Sequence, residues 1–261
     1  MNKANHSMTE PPYDMPLPFQ WGVASDVGQV RVRNEDAYAI EPEAGLFLVS
    51  DGMGGHRGGE IASEIVTQDL PLAIEIALLD LTQKTPRAIR AILKKWIAKQ
   101  SHQILQEGHS ESGYADMGAT LVLALLIKDR AYIANLGDSR AYRFRHGRLH
   151  QFSKDHSVVA ELVEQGHITP EEADVHEDLG VITHYAGMDA HARPHVRSFA
   201  LRPGDRILLC TDGLTDMVSE SQITAILTGE PDNQKACQTL VHQANQAGGY
   251  DNITVLLVEW T

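Results

Sequence analysis

Two apolar stretches of the sequence end in an Asp-Gly pair. Asp51-Gly52 follows LFLVS, and Asp212-Gly213 follows ILLCT. A carboxylate at the end of a buried strand is held in a fixed direction, and glycine lets a ligand or another backbone segment come close. Asp-Gly is also a common turn sequence, so either copy alone indicates no more than a turn. Two copies after similar stretches favour a site built from carboxylates.

Four more acidic residues stand beside predicted strands: Glu35, Asp36, Asp116 and Asp251. Each alone is typical of a cap or a turn. Several carboxylates packed together repel one another and take up protons unless cations are present. Oxygen ligands without nitrogen or sulfur select hard ions, which indicates Mg²⁺ or Mn²⁺. The His-Glu-x-x-His pattern of zinc proteases does not occur.

A phosphate-binding group is also available. Arg31 and Arg33 point to the same face if their segment is extended, and an arginine can bind a phosphate with two hydrogen bonds. The pattern alone does not decide between a substrate-binding arginine and two solvated surface charges. The glycine-rich stretch 52–59 lacks the Gly-Lys-Ser/Thr end of a nucleotide-binding loop. We expect it to form a tight backbone path around a metal, with Gly52 offering its carbonyl.

Composition excludes several classes of protein. The 261 residues carry 22 basic and 35 acidic side chains, a formal charge of −13, which argues against a general nucleic-acid binder. Two cysteines, Cys210 and Cys237, are too few for a disulfide scaffold or a thiolate zinc site. No apolar run approaches the ~20 residues of a membrane helix, and the N-terminal segment has no signal-peptide core. We expect a cytoplasmic protein without a membrane partner.

The elements that must position these residues follow from apolar periodicity. Residues 1–18 contain four prolines and are expected to be a flexible tail, and 19–261 one domain. Strands are predicted at 45–50, 206–211 and 253–260, with a meander over 120–153. Helices are predicted at 59–79 with a kink near Pro71, 86–107 with Thr85 as N-cap, 157–165, 170–177 and 232–246. Sheets covered by separate helices indicate an α+β layered domain.

Six segments together resemble signatures of the PPM (PP2C-like) family of metal-dependent serine/threonine protein phosphatases, in its bacterial branch. They occur in family order: Arg31-x-x-Asn34-Glu35-Asp36, Asp51-Gly52-Met53-Gly54-Gly55-His56, Met117-Gly118-Ala119-Thr120, Asn135-x-Gly137-Asp138-Ser139-Arg140, Asp212-Gly213-Leu214-x-Asp216 and Asp251-Asn252-Ile253-Thr254. The resemblance covers about residues 20–258. Each segment alone is weak, but six in order are specific.

The resemblance implies a four-layer α-β-β-α sandwich with two central, mostly antiparallel sheets. It also implies two Mn²⁺ or Mg²⁺ ions at one end of the sandwich. By similarity, Asp51 bridges both ions, Asp212 and Asp251 complete one, and the Gly52 carbonyl reaches the other. A third, weaker ion would be bound by Asp116 with help from Asp212.

The remaining roles also come from the resemblance. Glu35 and Asp36 would act through metal-bound waters, and Arg31, four residues before Glu35, matches the phosphate-binding arginine. A hydroxide that bridges the metals would attack the phosphorus of phosphoserine or phosphothreonine. The implied partners are phosphorylated proteins and a cognate Ser/Thr kinase, and we expect a monomer. The alternatives are a phosphoprotein-binding module without activity and a phosphatase for small phosphoesters.

Two departures from the family pattern bear on the mechanism and on substrate preference. The animal branch has a histidine directly after the Asp-Gly pair, where this chain has Met53, so the leaving-group acid stays open. Residues 154–195 correspond to the mobile flap beside the active site, and His184 stands where an arginine is usual, which marks His184 as a substrate-binding candidate. The His184-Tyr185 variant is similar to phosphatases that oppose a kinase controlling type VI secretion.

Overall fold

The computed structural model describes residues 17–54, 57–110, 114, 116–189 and 191–261. The strands are β1 (Phe19–Asp26), β2 (Asp36–Glu41), β3 (Leu46–Met53), β4 (Gly118–Ala119), β5 (Leu121–Ile127), β6 (Arg130–Leu136), β7 (Arg140–Arg145), β8 (Arg148–Gln151), β9 (His195–Ala200), β10 (Arg206–Cys210) and β11 (Ile253–Trp260). The helices are α1 (Gly58–Leu79), α2 (Pro86–Ser110), α3 (Val158–Glu164), α4 (Pro170–Ala173), α5 (Asp212–Thr215), α6 (Glu220–Gly229) and α7 (Asn233–Gln246).

The strands form two sheets. The first has the order β1-β11-β10-β7-β8, and the second has the order β2-β3-β5-β6-β9, with β4 paired to β3. All of these pairings are antiparallel. The meander predicted over 120–153 is divided between the sheets, because β5 and β6 belong to the second sheet and β7 and β8 to the first.

Three separate cores show that the layers are stacked. On β3, Phe47 and Val49 pack between the two sheets, whereas Leu46 and Leu48 pack towards α1 and α2. On β10, Leu209 faces the core between the sheets, and neighbouring residues face the core under α7. Side chains alternate between the two faces of a strand, so an unbroken apolar run is what a strand covered on both faces requires. The predicted α-β-β-α sandwich is confirmed.

Each long helix begins within one residue of its predicted start, and α2 extends to Ser110, beyond its predicted end at 107. Thr85 caps α2 by accepting a hydrogen bond from Ala88 N at 3.2 Å, and Pro86 occupies the first helical position. Helix α1 is assigned as one helix that includes Pro71. No helix in the described part of the chain has both the length and the apolar character to cross a membrane.

Several elements differ from the sequence prediction. Strands β1, β2 and β9 were not predicted, because each has exposed or half-buried positions and lacks a continuous apolar run. Helix α6 was also missed, although Ser219 and Gln222 form a capping box at its start. Helix α4 ends at Ala173 and not at 177. Of the predicted tail, residues 1–16 lie outside the described residues.

Candidate metal centre

Acidic residues from both sheets meet at one end of the sandwich. Asp36 and Asp51 are direct partners in the antiparallel ladder of β2 and β3, in the second sheet. Asp212 begins α5 two residues after β10, and Asp251 lies two residues before β11; both strands belong to the first sheet. The two Asp-Gly pairs of the sequence therefore contribute one carboxylate from each sheet to a common place.

A cavity of ≈ 360 Å³ opens at this place. Its lining consists of Arg31, Glu35, Asp51, Gly52, Met53, Gly54, Gly180, Ile182, Tyr185, Asp212, Asp251 and Asn252. The cavity thus joins six of the predicted site residues with three residues of the 154–195 segment. A cationic side chain, several carboxylates and exposed backbone line one small volume.

Buried hydroxyl groups fix the position of Asp51. The backbone N–H of Asp51 donates to Thr120 Oγ1 at 3.1 Å, and Thr120 N–H donates to the Asp51 carbonyl at 2.8 Å. The Thr120 hydroxyl also lies 2.6 Å from Ser139 Oγ, inside the protein. Thr120 and Ser139 are both fully buried. This hydrogen-bond network therefore fixes the position of Asp51 at the end of β3.

Asp36 is held from the opposite sheet. Thr211 Oγ1 donates to Asp36 Oδ2 at 3.0 Å, and Thr211 lies directly before Asp212. The other oxygen, Oδ1, is buried and has no hydrogen-bond partner among the described residues. Burial above all, and then the charge of neighbouring carboxylates, raise the pKa of Asp36 to about 7 although the threonine hydroxyls oppose the shift.

The same causes act on the rest of the cluster. Burial first, and then nearby carboxylates, raise the pKa of Asp212 to about 6 and hold the pKa of Asp51 well above its usual range. Asp138 is drawn into the group as well: burial and the charge of Asp212 raise its pKa to about 8. Oδ1 of Asp138 and Oδ1 of Asp212 are also buried without a partner in the described part of the chain.

This cluster fits divalent cations by its chemistry. Buried carboxylate oxygens without partners, and carboxyl groups that hold protons because they repel one another, are the features that a hard cation would relieve. The donors are not yet assembled around a point, since no three His, Cys, Asp or Glu side chains of the described residues could hold an ion as they stand. Asp251 is instead paired with Arg31.

Glycine at position 52 is required by close packing. A β-carbon on Gly52 would lie 2.1 Å from the carbonyl oxygen of Gly59 at the start of α1. The Gly52 N–H donates to the Glu35 carbonyl at 3.2 Å, and Ser63 Oγ donates to the same carbonyl at 2.6 Å. Residues 52 and 59 of the glycine-rich stretch are therefore tightly packed beside the carboxylates, and Gly52 lines the cavity.

The structure distinguishes the two arginines that the pattern left equivalent. Arg31 lines the cavity, and its Nη2 donates to Asp251 Oδ2 at 2.7 Å. Arg33 is not in the lining, and its Nη1 lies 4.0 Å from Glu60 Oε2. Burial of Arg31 is opposed by the charges of Asp251, Asp51 and Glu35, and the net effect raises its pKa. The guanidinium stays charged beside the carboxylates.

Asn252 ties the Arg31 loop to the centre, a role that sequence reasoning missed. Its amide Nδ2 donates to the carbonyls of Val27 at 3.0 Å and Arg33 at 2.8 Å, and its Oδ1 accepts from Glu35 N–H at 2.8 Å. These bonds cross more than 200 residues of sequence. The signal available in the sequence was the motif Asp251-Asn252-Ile253-Thr254, in which Asn252 directly follows a predicted metal-binding residue.

Besides the buried Asp36, two predicted residues lie outside the cavity lining. Asp116 is exposed, and its carbonyl oxygen lies 3.0 Å from where a β-carbon of Gly54 would be. His184 lines a different cavity with Lys154, His156 and Glu161, and its Nδ1 lies 3.2 Å from Thr183 Oγ1. Its neighbour Tyr185 faces the carboxylates instead. The roles assigned to Asp116 and His184 stay predictions.

The model of the protein phosphatase 2C family matches residues 29–253. The chain belongs to the protein phosphatase 2C (PP2C) family. The protein phosphatase PhpP of Streptococcus pneumoniae serotype 2 (strain D39) is 39% identical over 237 residues, which cover 90% of this chain and 94% of PhpP.

Solved PP2C structures agree with the fold. The S. agalactiae serine/threonine phosphatase has a TM-score of 0.84 at 34% identity, with 93% of this chain and 100% of that chain covered. The catalytic domain of the serine/threonine protein phosphatase PstP, solved in complex with two manganese ions, has a TM-score of 0.76 at 32% identity, covering 92% and 97%. PppA, a key regulatory component of the type VI secretion system in Pseudomonas aeruginosa, has a TM-score of 0.75 at 32% identity, covering 93% and 98%.

Proposed function

We propose that this PP2C protein is a Mg²⁺- or Mn²⁺-dependent phosphatase that removes phosphate from phosphoserine and phosphothreonine in proteins. The observation that carries the proposal is the cavity in which Asp51, Asp212 and Asp251, from both sheets, face Arg31. Carboxylates with raised pKa values supply the cation-binding side, and the guanidinium supplies the phosphate-binding side. Family membership and the names of the relatives agree with this activity.

The proposed assignment of metal-binding groups follows the family pattern. Asp51 and the Gly52 carbonyl would hold one ion, and Asp51, Asp212 and Asp251 a second. Glu35 and Asp36 would orient water around them, and Asp116 would contribute to a third, weaker site. When bound, two divalent ions supply activated water at neutral pH and neutralise charge that develops on phosphate.

The chain's own residues bind and orient the phosphate group. Arg31 can offer two parallel N–H groups to two phosphate oxygens once it releases Asp251. Asn252 holds the Arg31 loop in place through three hydrogen bonds with backbone groups of Val27, Arg33 and Glu35. A phosphocysteine route does not fit the structure, because the two cysteines of the sequence, Cys210 and Cys237, are fully buried and neither lines the cavity.

The proposed partners are phosphorylated proteins and a Ser/Thr kinase whose products the enzyme would reverse. We further propose a monomer in the cytoplasm, where the two free cysteines would remain reduced. The match to PppA is no stronger than the matches to the S. agalactiae enzyme and PstP, so the comparisons do not single out type VI secretion as the pathway.

The test is phosphate release from a phosphothreonine peptide with Mn²⁺, for the wild type and for Asp212→Asn. Metal-dependent release that Asp212→Asn abolishes would support both activity and site. The matched control is Asp129→Asn in the exposed β5–β6 turn, which should leave the rate unchanged. Release that survives EDTA would contradict the metal-dependent mechanism.

Two further outcomes would replace the proposal. If the folded wild type binds Mn²⁺ but releases no phosphate, the chain is a phosphoprotein-binding module. If small phosphorylated metabolites are turned over faster than phosphopeptides, the substrate is a small phosphoester.

A further inference from the structure

His156 is joined to the turn between β6 and β7 both by its ring and by its backbone. The Gly137 N–H donates to His156 Nδ1 at 3.1 Å, and the His156 N–H donates to the Gly137 carbonyl at 3.1 Å. His156 is 9% exposed, and Gly137 is buried. Because a backbone N–H can only donate, Nδ1 is the acceptor and the ring proton lies on Nε2. The imidazole thus satisfies a buried backbone N–H of the turn.

The turn held in this way belongs to the carboxylate cluster. Asp138 follows Gly137 directly, and the charge of Asp212 is, after burial, the largest cause that raises the pKa of Asp138. A β-carbon on Gly137 would lie 2.6 Å from Thr120 Cβ. Thr120 is the residue whose hydroxyl accepts from Asp51 N–H. A shift of the turn would therefore displace the support of Asp51 and change the surroundings of Asp212.

The backbone beside the ring also binds a wall of the metal cavity. Thr183 N–H donates to the His156 carbonyl at 2.8 Å. The next residue, Ser157, forms an isolated antiparallel bridge with Ile182. Ile182 lines the metal cavity. His156 therefore lies between the carboxylate cluster and the wall at Ile182, and it is bonded to the segments that carry both.

The two residues before His156 are fixed to the same part of the fold. Asn135 Nδ2 donates to the Lys154 carbonyl at 2.7 Å, and Asn135 Oδ1 accepts from Lys154 N–H at 3.1 Å. Arg140 Nε, at the start of β7, donates to Asp155 Oδ2 at 2.8 Å. These bonds do not involve the His156 ring. A variant without the ring should therefore keep the fold of this region, so that its effect on the cavity can be measured.

The surroundings of His156 keep its ring neutral. Burial, and after it the neighbouring His184, lower the pKa of His156 to about 4. The centres of the two rings are 5.2 Å apart. His195 and Lys154 act in the same direction, and Glu161 opposes them. At neutral pH, Nδ1 is therefore available as an acceptor.

We propose that His156 is a positioning residue for the phosphatase reaction: its Nδ1 fixes the Asp138 turn relative to the segment that carries Ile182, and so sets the width of the metal cavity. This inference rests on the proposed function. His156 does not line the cavity, so it acts through these two segments and not by contact with phosphate. Loss of the Nδ1 acceptor should let the turn and the wall separate, which would misplace the groups that bind and attack phosphate.

The test compares His156→Leu with His156→Asn. Both substitutions remove the ring and introduce side chains of similar size, but only asparagine keeps an acceptor, Oδ1, at the position of Nδ1. His156→Leu should lower kcat for p-nitrophenyl phosphate and for a phosphothreonine peptide about tenfold, and His156→Asn should restore most of the rate. The Kd for Mn²⁺, measured by calorimetry, should stay unchanged in both variants, because the proposed ligands are not altered. His242→Leu, on the exposed surface of α7, is the control and should match the wild type.

Hydrogen exchange followed by mass spectrometry supplies a readout besides activity. Peptides that cover 137–140 and 181–185 should exchange faster in His156→Leu than in His156→Asn or the wild type. Equal kcat values for His156→Leu and His156→Asn would overturn the inference, and so would unchanged exchange of both peptides in His156→Leu. A wild type that releases no phosphate would refute the proposed function and this inference together, whereas an active wild type that His156→Leu equals would refute the inference alone.

Discussion

Arg31 and Asp251 form an ion pair across the mouth of the candidate metal centre, with Nη2 2.7 Å from Oδ2. Both residues are predicted to have another partner during catalysis, phosphate for Arg31 and a metal ion for Asp251. The ion pair therefore engages the group proposed to bind phosphate and a group proposed to bind metal at the same time. An ion that takes Asp251 would therefore release the guanidinium towards the phosphate.

Arg31→Met should separate these two roles. Turnover of a phosphothreonine peptide should fall about 100-fold, because a charged donor to the reacting phosphate is lost. The affinity for Mn²⁺, measured by calorimetry, should stay equal or increase, because Asp251 loses a competing cation. Arg33→Met is the control and should change turnover by less than about twofold, since Arg33 is paired only loosely with Glu60 on the surface. Weaker Mn²⁺ binding by Arg31→Met would contradict this account.

Without metal, the protein should become less stable as the pH rises. The pKa values of Asp36, Asp138 and Asp212 are raised to about 7, 8 and 6, from 3.8. Above about pH 4, the unfolded chain has therefore released protons that the folded chain still holds, so the free energy of unfolding decreases up to about pH 8.

Thermal unfolding with EDTA should show this as a lower Tm at about pH 8 than at about pH 5. Mn²⁺ should raise the Tm more at the higher pH, because there it displaces fewer protons. Asp138→Asn should flatten the pH dependence, since it removes the group with a pKa of about 8. A Tm that increases through this range in the chelated protein would refute the prediction.

Thr120→Val should lower the free energy of unfolding while the protein keeps the same fold. The substitution removes the acceptor of the part-buried Asp51 N–H and the partner of the buried Ser139 hydroxyl. Loss of a buried partner costs about 1–3 kcal/mol, to be measured by urea unfolding. Thr228→Val, whose hydroxyl bonds to Thr224 O on an exposed helix surface, should change the free energy of unfolding by less than about 0.5 kcal/mol. Equal effects would show that the network does not support Asp51.

Within the 154–195 segment, the structure makes Tyr185 a stronger candidate than His184 for contact with the substrate. Tyr185 lines the metal cavity, and its ring lies against Gly118, where a β-carbon would come within 2.6 Å of Cδ2. Tyr185→Ala should raise KM for a phosphopeptide several-fold and change hydrolysis of p-nitrophenyl phosphate much less, because a peptide has more surface to place against this wall of the cavity. His184→Arg should have the smaller effect, since His184 faces the other cavity. Equal losses on both substrates with Tyr185→Ala would show that the segment supports the metal-binding groups instead.

Local sequence patterns were sufficient to predict the strands that end at the candidate metal centre. The apolar stretches before Asp51 and Asp212 predicted both strands, because a strand covered on both faces must be apolar throughout. They also predicted that the two carboxylates lie at the strand ends. The position of Asp138 beside them depends on how β6 and β7 pass from one sheet to the other, and no local pattern contains this. His184 and Tyr185 are adjacent in the chain but face different cavities, which the irregular backbone of that segment decides.

The division of the candidate ligands between the two sheets has a mechanical consequence. Asp51 is carried by the second sheet, whereas Asp212 and Asp251 adjoin strands of the first. Ions bound by all three would cross-link the open end of the sandwich. By mass action, an ion at 100 times its Kd adds ~2.7 kcal/mol to the free energy of unfolding. The metal concentration would thus govern how well the two sheets resist unfolding and proteolysis, and not only how fast phosphate is released.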